Sequence, residues 1–585
     1  MNKQESDILK VLYKDKCSNQ REVSEISGHS LGIVNRSICS LTESGYLDKN
    51  LNITEKARKC INENKPKKAI ILAAGFGMRM VPINFETPKA FLEINGECLI
   101  ERQIKHLREV GITEIYVVVG FLKERFEYLI DEYGVELIVN TEYATKGNMY
   151  SLYLAREYMD NAYIIPCDIW CDRNPFDEYE LYSWYMVNDL IDDDSEIRVN
   201  RKSELVRVNK SNSGNTMIGI SYLLKDDAKI VISNIEKLLK DKANNGCFWE
   251  NALYEKDKMI VPAKLAKSID VVEINTYEQL RELDSDSEHL KSDAIETVSM
   301  TLDVDAEDIY DITVLKKGMT NRSFMFSCND NKYIMRIPGE GTDNLINRNE
   351  EYDVYQTIKD QNICDDIVYI NPKNGYKITK YINNARVCDS YNNEDLKKCM
   401  DRLKEFHNKK LKVNHEFNIF EKIDFYEELW EGNKSIYRDY EKTKNNVISL
   451  IPYINEHIEE KVLTHIDAVP DNFLFSTGDD GKEDIRLIDW EYAGMQDPHV
   501  DIAMFCIYAL YDREHVENLI DIYFDGNCQE ETRTKIYCYI ASCGLLWSNW
   551  CEYKRNLGVE FGEYSLRQYR YAKEYYKLAK QRMED

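Results

Sequence analysis

The sequence lacks long hydrophobic runs, and none of its apolar stretches approaches the ~20 residues that a membrane-spanning helix needs. Its first residues, MNKQESDILK, also lack the apolar core of a secretory signal peptide. The 16 cysteines are scattered and include no C-x-x-C pair, and no second ligand pair follows Cys167 and Cys171 to complete a zinc site. We therefore expect a cytoplasmic protein with free thiols and no membrane partner.

Length and charge narrow the class of protein further. A chain of 585 residues is too long for a single hydrophobic core, so three or four domains are expected. Its 43% hydrophobic and 31% charged residues suit folded domains rather than disorder. The net charge of −27 argues against broad adhesion to nucleic acid or membranes, although it leaves room for local basic pockets.

Two familiar phosphate-binding motifs are missing from residues 68–89, KAIILAAGFGMRMVPINFETPK. The spacing differs from the G-x-x-x-x-G-K-[ST] of a Walker loop. The pair Gly75-x-Gly77 is followed by Met80 at the position where a dinucleotide-binding loop has its third glycine. A different kind of phosphate loop is therefore required to explain the stretch.

The loop after the predicted strand 68–72 is nevertheless suited to phosphates. Arg79 and Lys89 add positive charge at its two ends, and Pro88 fixes the backbone just before Lys89. We expect Lys89 and Arg79 to act on a bound triphosphate. The loop residues are small enough for backbone N–H groups to approach phosphate oxygens, and they are Ala73, Ala74, Gly75 and Gly77.

The string L-A-A-G-x-G-x-R followed by T-P-K resembles the signature of the nucleotidyltransferases that make NDP-sugars and CDP-alcohols. The resemblance implies that Arg79 and Lys89 bind the triphosphate and stabilise the leaving pyrophosphate. Strands and helices alternate through residues 67–290, which predicts a Rossmann-like, mostly parallel sheet with ligands at the carboxyl ends of its strands. The predicted strands lie near 68–72, 115–119, 135–139 and 162–166, and the predicted helices near 98–110 and 122–132.

Two features beyond the loop are candidates for nucleotide and metal binding. Asn140, Asn148 and Ser151 are polar residues in an aromatic-rich turn, so they can read a base by hydrogen bonds. Asp168 directly follows the predicted strand 162–166 and can hold Mg²⁺ between triphosphate oxygens. The alternative for Asp168 is a structural aspartate in a turn.

A third feature is the cluster Phe248-Trp249-Glu250-Asn251. Glu250 can complete the metal site, and Phe248 and Trp249 can pack against a cationic head group. The alternative is that these residues belong to the hydrophobic core.

Residues 67–290 as a whole resemble the bacterial phosphocholine cytidylyltransferases, which supply CDP-choline for the decoration of surface glycans. The likeness runs through T-P-K-A, N-x-x-Y-x-x-x-N-x-Y-S-L-Y-L and the W-[DE]-N cluster. It implies CTP and phosphocholine as substrates, with the first metal aspartate at Asp168 and the second acidic ligand at Glu250. The chain departs from the family at Pro166, where an acidic residue is expected, and in residues 183–216, which match poorly.

Residues 1–65 are predicted to form a separate small module. Apolar residues at helical spacing indicate three helices, and a wing-like segment after Gly45 leads to a last helix near 54–61. The pattern resembles the winged helix-turn-helix of bacterial regulators, whose third helix would present Asn35 and Arg36 to DNA. The module holds 11 Lys/Arg and 9 Asp/Glu, a weak positive charge for a DNA-binding protein. DNA binding, a protein contact and a vestigial role all stay open.

The region 296–585 follows a charged segment, residues 281–295, that we interpret as a linker. It opens with strand patterns typical of a kinase small lobe. Arg336 on one predicted strand is available to a nucleotide phosphate, and Glu351 at the start of a helix can anchor that arginine.

The strongest signal is His465-x-Asp467-x-x-x-x-Asn472, followed by Asp489 at the end of an apolar strand. Asp467 can take the proton from an attacking hydroxyl, and Asn472 and Asp489 can hold Mg²⁺ on the phosphates of ATP. His465 is better suited to supporting the loop backbone than to acid–base chemistry. Two carboxylates and an amide tolerate one another because a divalent cation lies between them.

This region resembles the choline kinases and their aminoglycoside-phosphotransferase-like relatives over nearly all of residues 310–555. The resemblance implies an α+β protein-kinase-like fold with ATP and choline as substrates. It places the family's asparagine near the phosphate loop at Asn321 and the nucleotide-binding arginine at Arg336. The catalytic aspartate falls at Asp467, and the metal pair falls at Asn472 and Asp489.

Choline has no ammonium N–H group, so its pocket needs aromatic faces and diffuse negative charge. Trp547 and Trp550 are three residues apart and share one face of a helix. They match the paired tryptophans of the choline kinases, and Tyr492 matches a tyrosine of the same pocket. The alternative is that all three are core aromatics in a chain with 40 tyrosines.

Together these patterns predict a multidomain α/β protein with a small winged-helix domain (1–65), a nucleotidyltransferase domain (67–290) and a phosphotransferase domain (296–585). The expected function is bifunctional: choline and ATP give phosphocholine, and phosphocholine and CTP give CDP-choline. The alternatives are the same chemistry on another amino alcohol such as ethanolamine, or a ligand-sensing transcriptional regulator. A homo-oligomer is compatible with the sequence, which does not determine the oligomeric state.

Overall fold

The computed structural model describes residues 1–584 except 16, 18, 78–79, 81, 84–86, 193–194, 209–212, 316–320, 340–341, 343–344, 479–480, 482, 557–560 and the side chain of 288. The chain divides into two compact units, Met1–Glu296 and Thr297–Asp585. In the described part of the chain, no helix is long and apolar enough to cross a membrane.

The first unit begins with a small helical module. A capping box of Asn2 and Glu5 starts its first helix, and Ile8, Val34 and Ile38 lie in its core. The helices expected from apolar spacing are confirmed, while the winged-helix assignment stays a prediction. The helices are α1 (Lys3–Lys14), α2 (Gln20–Ser27), α3 (Leu31–Glu43) and α4 (Glu55–Asn64).

An acidic and aromatic segment, residues 177–182 (DEYELY), packs against this module. Lys10 Nζ lies 2.9 Å from Asp177 Oδ2 and 3.3 Å from Glu180 Oε2. Leu181 is buried in the module's own hydrophobic cluster. The first 65 residues are therefore joined to the rest of the first unit by ion pairs and a shared core.

The rest of the first unit is a large mixed sheet with helices on its faces. The hydrogen-bonded strand order is β5-β4-β1-β6-β11-β8-β13-β10-β9, with β12 paired to β13 and separate pairs β2–β3 and β7–β14. The strands are β1 (Lys68–Ala73), β2 (Glu93–Ile94), β3 (Glu97–Cys98), β4 (Glu114–Val119), β5 (Glu136–Val139), β6 (Ala162–Pro166), β7 (Ile169–Cys171), β8 (Trp184–Asp192), β9 (Ile197–Val199), β10 (Glu204–Arg207), β11 (Gly214–Leu223), β12 (Tyr254–Glu255), β13 (Lys258–Ala266) and β14 (Val271–Glu273). The helices are α5 (Leu99–Glu109), α6 (Tyr128–Tyr133), α7 (Asn148–Leu154), α8 (Lys225–Leu238) and α9 (Tyr277–Leu283).

Strand β1 is central because it contributes to the cores on both sheet faces. Ala69 and Ile71 enter one hydrophobic cluster, whereas Ile70 and Leu72 enter the other. The strand runs parallel to β4 and β6, as predicted, but β11 pairs antiparallel with both β6 and β8, so the sheet is mixed rather than mostly parallel. The helix predicted near 122–132 is split into a 3₁₀ turn, Lys123–Phe126, and α6.

The predicted linker 281–295 contains the end of one helix, the 3₁₀ turn Glu288–Leu290 and the start of a second helix, and its role as a linker stays a prediction. Helix α9 runs to Leu283, and α10 (Asp293–Leu302) begins inside the same segment. Thr276 and Gln279 form a capping box for α9, and Tyr277 and Leu280 are buried. Within the segment itself Leu290, Ala294 and Ile295 are buried, so its high charge does not leave it uniformly exposed.

The second unit has a small antiparallel sheet followed by a larger helical part. The sheet order is β15-β16-β17-β19-β18, and two further groups pair as β20-β22-β23 and β21-β24. The strands are β15 (Tyr310–Val314), β16 (Asn321–Cys328), β17 (Asn331–Pro338), β18 (Ile367–Ile370), β19 (Lys377–Lys380), β20 (Arg386–Val387), β21 (Val462–Thr464), β22 (Phe473–Thr477), β23 (Glu483–Leu487) and β24 (Gly494–Gln496). The helices are α11 (Arg348–Ile358), α12 (Asn393–Asn408), α13 (Ile419–Glu428), α14 (Tyr440–Ile448), α15 (Ile451–His457), α16 (His499–Tyr508), α17 (Arg513–Tyr523), α18 (Glu530–Asn556) and α19 (Glu563–Glu584).

Candidate active sites

The small-residue loop and Asp168 lie at the same edge of the first unit's sheet. Strands β1 and β6 are parallel neighbours, so their carboxyl ends meet there. The backbone N–H of Cys167 donates to the carbonyl of Leu72 at 3.2 Å. This hydrogen bond joins the carboxyl ends of β1 and β6. Ala73 and Ala74 are buried at the start of the loop, and Gly75 is exposed.

Lys89 lies between the loop and two oxygen ligands. Its Nζ is 3.0 Å from Asp168 Oδ2 and 2.9 Å from Asn275 Oδ1. These two oxygens contact one ammonium, so they cannot be further apart than the sum of those distances. A carboxylate and an amide oxygen thus converge on a position that already holds a cation, and this donor pair suits Mg²⁺.

Asn275 was missed by the sequence analysis, and Arg79 lies outside the described residues. Asn275 follows β14, which pairs with β7 directly after Asp168. The backbone N–H of Ile274 donates to the carbonyl of Asp168 at 2.9 Å. The signal for Asn275 was therefore the tertiary pairing of β14 with β7, which the local sequence does not carry.

The Glu250 carboxylate is enclosed next to Tyr185, and the space at Gly219 borders both Glu250 and Pro166, two residues before Asp168. The Tyr185 hydroxyl donates to Glu250 Oε1 at 3.2 Å, and no described residue gives Oε2 a hydrogen bond. Burial raises the pKa of Glu250 to about 7. Among the described residues, no group of three His, Cys, Asp or Glu side chains is arranged to hold a metal ion.

The predicted base-reading residues hydrogen bond within the protein. Asn140 Nδ2 donates to Ser151 Oγ at 3.0 Å, and both residues are buried. Asn148 Oδ1 accepts the backbone N–H of Trp249 at 2.8 Å. Their contact with a base stays a prediction.

The two predicted head-group aromatics differ sharply in exposure. The Trp249 side chain is 0% exposed and lies in the core, whereas Phe248 is 63% exposed. The Trp249 ring has no face open to a ligand in this conformation. A head-group role for the pair stays a prediction, and Phe248 is the better placed of the two.

In the second unit, pairing of β22 with β23 brings the two predicted catalytic loops together. The backbone N–H of Ile488 donates to the carbonyl of Asn472 at 3.0 Å. Asn472 Nδ2 donates to Asp467 Oδ2 at 3.2 Å, so the amide oxygen is the atom left for a cation. His465 Nε2 lies 2.9 Å from the Ile488 carbonyl, which confirms that His465 supports the loop backbone.

The two carboxylates of this site are electrostatically strained. Burial and the charge of Glu491 raise the pKa of Asp467 to about 7. Burial and Glu491 also raise the pKa of Asp489 above its usual range. The Asp489 backbone has φ 66°, a left-handed conformation that is costly outside glycine. A cation beside these groups would relieve the charge strain.

Arg336 and Glu351 form the predicted pair, inside a larger network. Arg336 Nη1 and Nη2 both donate to Glu351, and Arg348 Nη1 donates to Glu351 Oε2 at 2.8 Å. Although burial opposes it, the charge of Arg336 lowers the pKa of Glu351 to about 2. Asn321 Nδ2 donates to Glu491 Oε2 at 2.8 Å, which brings the predicted Asn321 into the same network.

A cavity of about 700 Å³ joins these groups to an aromatic wall. The rings of Tyr492 and Trp547 meet edge-to-face at 5.7 Å, and those of Trp547 and Trp550 at 5.6 Å. Tyr508 and Tyr564 also line the cavity and were missed, because single tyrosines carry little signal in this chain. The structure thus brings the three predicted aromatics into one pocket with Asp467.

The cavity lining fits a divalent cation. Its described acidic residues are Asp365, Asp467, Asp471, Asp489 and Glu491, against the basic Arg336, Lys377 and Lys380. The local excess of negative charge, together with a carboxylate and an amide oxygen near each other, suits Mg²⁺ carried on nucleotide phosphates.

The folds and sites define a two-part transferase, with a nucleotidyltransferase-like first unit and a protein-kinase-like second unit. The family model of the MobA-like NTP transferase domain matches residues 69–174, and that of the choline/ethanolamine kinases matches residues 312–541. The choline-phosphate cytidylyltransferase of Streptococcus pneumoniae is 32% identical over 231 residues, which cover 37% of this chain and 96% of that protein. The chain therefore belongs to the choline-phosphate cytidylyltransferase family, with a kinase-family segment in the same polypeptide.

Two further proteins are each similar to one part of the chain. The 2-aminoethylphosphonate cytidylyltransferase of Lancefieldella rimae is 32% identical over 243 residues, which cover 39% of this chain and 94% of that protein. The crystal structure of choline kinase LicA from Streptococcus pneumoniae is 28% identical, covers 48% of this chain and 97% of that chain, and has a TM-score of 0.42.

Proposed function

We propose that the chain is a bifunctional enzyme of CDP-choline synthesis in the cytoplasm. The second unit would transfer the γ-phosphoryl group of ATP to choline, and the first would transfer CMP from CTP to the resulting phosphocholine, releasing pyrophosphate. The observation that carries the proposal is the presence of both sites in one chain, since the product of one is the substrate of the other. The fate of the product, such as decoration of surface glycans, is proposed by analogy alone.

In the first unit the protein has no covalent chemistry to perform. A phosphate oxygen of phosphocholine attacks the α-phosphorus of CTP, and the bond to pyrophosphate breaks. We assign the loop 73–77 and Lys89 to the triphosphate, where they stabilise the charge that builds on the leaving group. Mg²⁺, which neutralises phosphate charge when bound, would be held by Asp168 and Asn275. We propose Asn275 in place of Glu250 because it shares the Lys89 ammonium with Asp168.

In the second unit Asp467 is the proposed general base. Its carboxylate would take the proton of the alcohol as the oxygen attacks the γ-phosphorus and ADP leaves. Asn472 and Asp489 would hold Mg²⁺. The bidentate contact of Arg336 with Glu351 supports a role for Arg336 near the nucleotide phosphates, because this pairing of strand cation and helix carboxylate is typical of active kinases.

The aromatic wall favours choline over ethanolamine as the alcohol. A quaternary ammonium is bound by ring faces, whereas a primary ammonium needs hydrogen-bond acceptors. The wall holds Tyr492, Trp547 and Trp550 in one pocket with Asp467. The runner-up substrates are ethanolamine for the kinase and 2-aminoethylphosphonate for the cytidylyltransferase.

Product analysis tests the proposal. The full chain is incubated with Mg²⁺, ATP, CTP and choline, ethanolamine or 2-aminoethylphosphonate, and products are followed by mass. We expect phosphocholine when CTP is omitted, CDP-choline when both nucleotides are present, and neither when ATP is omitted. A product only from ethanolamine, or CMP transfer only to the phosphonate, would overturn the choline assignment.

Replacing Trp547 by alanine tests the kinase pocket. We expect the KM for choline to rise about 30-fold, because a desolvated cation–π contact is worth about 2 kcal/mol, while the KM for ethanolamine changes severalfold at most. Initial rates of ADP formation with each alcohol provide the measurement. Tyr391→Ala, which removes an exposed ring of the same unit, is the matched control. Equal losses for both alcohols would count against choline.

Replacing Gly77 by alanine tests the packing of Lys89 on the phosphate loop. A Cβ at this position would lie 2.8 Å from Lys89 Cγ, and the residue has φ +67°. We expect the rate of CMP transfer to fall about 100-fold, because a displacement near 1 Å misplaces a reacting group. Gly32→Ala, which meets nothing within 4 Å, serves as control. An unchanged rate with Gly77→Ala would remove Lys89 from the site.

Residues 1–65 are proposed as a protein-contact element of the first unit. Asn35 and Arg36 are exposed on α3, which is the feature that supports DNA contact. Lys10 and Lys14 pair with Asp177, however, and Lys65 pairs with Glu178. Their charge is thus neutralised within the chain, which lowers an already weak positive potential.

A further inference from the structure

Lys377 is a buried lysine that the proposed kinase mechanism does not use. Its side chain lies on β19, is part of the cavity lining, and the residue is only 6% exposed. Lysine is almost never buried unless it is paired, because removing its charge from water is costly. The positive charge of Lys377, buried beside the proposed nucleotide site, therefore requires specific partners that compensate it.

The sheet register places Lys377 directly opposite Arg336. The two residues are partners in the antiparallel pairing of β17 with β19, so their side chains share one face of the sheet. Like charges in directly opposed positions destabilise a sheet. The pair is retained here in a buried setting, which requires anionic or polar partners for both members.

Helix α11 supplies a partner to each of the two cations. Glu351 binds Arg336, and Tyr355, one turn further along the helix, accepts a hydrogen bond from Lys377 Nζ at 2.6 Å. The carboxylate of Asp365 lies 3.5 Å from the same Nζ. Glu351 and Tyr355, on one face of α11, therefore hold Arg336 and Lys377 in place.

The Tyr355 hydroxyl continues the chain of contacts to the metal site. It also accepts the backbone N–H of Trp490 at 3.4 Å, and Trp490 directly follows Asp489. The left-handed backbone of Asp489 persists only where its surroundings hold it. Lys377, Tyr355 and the turn at Asp489 thus form one hydrogen-bonded path.

We propose that Lys377 is a positioning residue of the phosphoryl-transfer reaction, which acts through Tyr355 to hold the Asp489 turn in its metal-binding geometry. The inference rests on the proposed kinase function of this unit. Outer partners of this kind orient the ligands of a metal, and their loss typically weakens metal binding or activity about 10- to 100-fold.

The test uses the full chain with Lys377→Met, which keeps the length of the side chain, and Tyr355→Phe, which removes only the hydroxyl. Lys373→Met, an exposed lysine in the turn before β19, is the matched control. ADP formation is measured against Mg²⁺ concentration at saturating ATP and choline. Binding of Mn²⁺ in the presence of ADP is measured in parallel by electron paramagnetic resonance. CMP transfer to supplied phosphocholine, in the same preparations, reports the intact first unit.

We expect Lys377→Met to raise the Mg²⁺ requirement and weaken Mn²⁺·ADP binding by about 10- to 100-fold, and Tyr355→Phe to shift both in the same direction. The KM for choline should stay unchanged. The double variant should match Lys377→Met alone, because both changes break one path. Wild-type metal dependence in both single variants, or multiplicative effects in the double variant, would overturn the proposal.

Failure of the proposed function would look different from failure of this inference. If the wild-type chain phosphorylates no amino alcohol, the function is wrong, yet Mn²⁺·ADP binding still tests the role of Lys377. Should Lys377→Met fail to fold, Tyr355→Phe decides the question, and wild-type behaviour of that variant contradicts the path.

Discussion

Replacing Asp467 by asparagine is expected to lower the rate of phosphocholine formation by roughly 10²- to 10⁴-fold, the usual contribution of a general base. The amide cannot accept the proton of the attacking hydroxyl, although it fits the same space beside Asn472. Burial and Glu491 raise the pKa of Asp467 to about 7, which suits a group that takes up a proton in each turnover. The measurement is ADP release with saturating choline, ATP and Mg²⁺.

The first unit supplies the internal control for this variant. CMP transfer from CTP to added phosphocholine should proceed at the wild-type rate, which shows that the chain is folded and correctly quantified. Asp471→Asn, a neighbouring cavity-lining carboxylate that accepts the Tyr508 hydroxyl, tests whether any carboxylate of the loop is equivalent. Phosphorylation by Asp467→Asn within tenfold of wild type would remove Asp467 from the base position.

Replacing Lys89 by methionine should lower the rate of CMP transfer by roughly 10²- to 10³-fold, a loss typical of removing one preorganised group that stabilises transition-state charge. Methionine keeps the length of the side chain against Gly77 but removes the ammonium that contacts Asp168 and Asn275. The measurement is pyrophosphate release with phosphocholine, CTP and Mg²⁺.

For this variant the kinase reaction is the control, and it should be unchanged. Lys68→Met removes another lysine of the first unit. Lys68 lies at the end of β1 opposite the phosphate loop and pairs with Asp160, so this variant should transfer CMP near the wild-type rate. If Lys89→Met raised only the KM for CTP and left kcat intact, Lys89 would bind the nucleotide without stabilising the transition state.

The early strands of the first unit and the kinase motifs were predictable because each rests on local pattern. Strand β1 is an apolar run that ends in small residues, and it lies where the sequence predicted it. Asp467, Asn472 and Asp489 were predicted from one spacing rule, and the pairing of β22 with β23 brings their loops together. Chemistry that is encoded within about 25 residues can be read without tertiary information.

The rest depends on contacts between distant residues. Asn275 reaches Lys89 across 186 positions, and nothing in its own neighbourhood distinguishes it from an ordinary residue before a helix. From the sequence, Trp249 was assigned to a cationic head group with the hydrophobic core as the alternative, and the fold buries it completely. Lys377 lies opposite Arg336 only because of strand register, a property that local composition does not fix.

The module at the start of the chain illustrates the same limit. Its helices followed from apolar spacing, whereas its attachment to residues 177–182 did not. The basic residues of α1 and the acidic residues of that segment are complementary in charge, but more than 160 positions separate them. Only the tertiary structure reveals that lysines of the module are neutralised by ion pairs within the chain.

Mixing the two inactivated variants tests most directly whether one polypeptide carries two independent nucleotide sites. Asp467→Asn and Lys89→Met are each incubated with choline, ATP, CTP and Mg²⁺, and then together, while CDP-choline is measured. We predict that neither variant alone makes CDP-choline at an appreciable rate and that the mixture does, because phosphocholine diffuses from one chain to the other. Synthesis by either variant alone, or none by the mixture, would contradict the account.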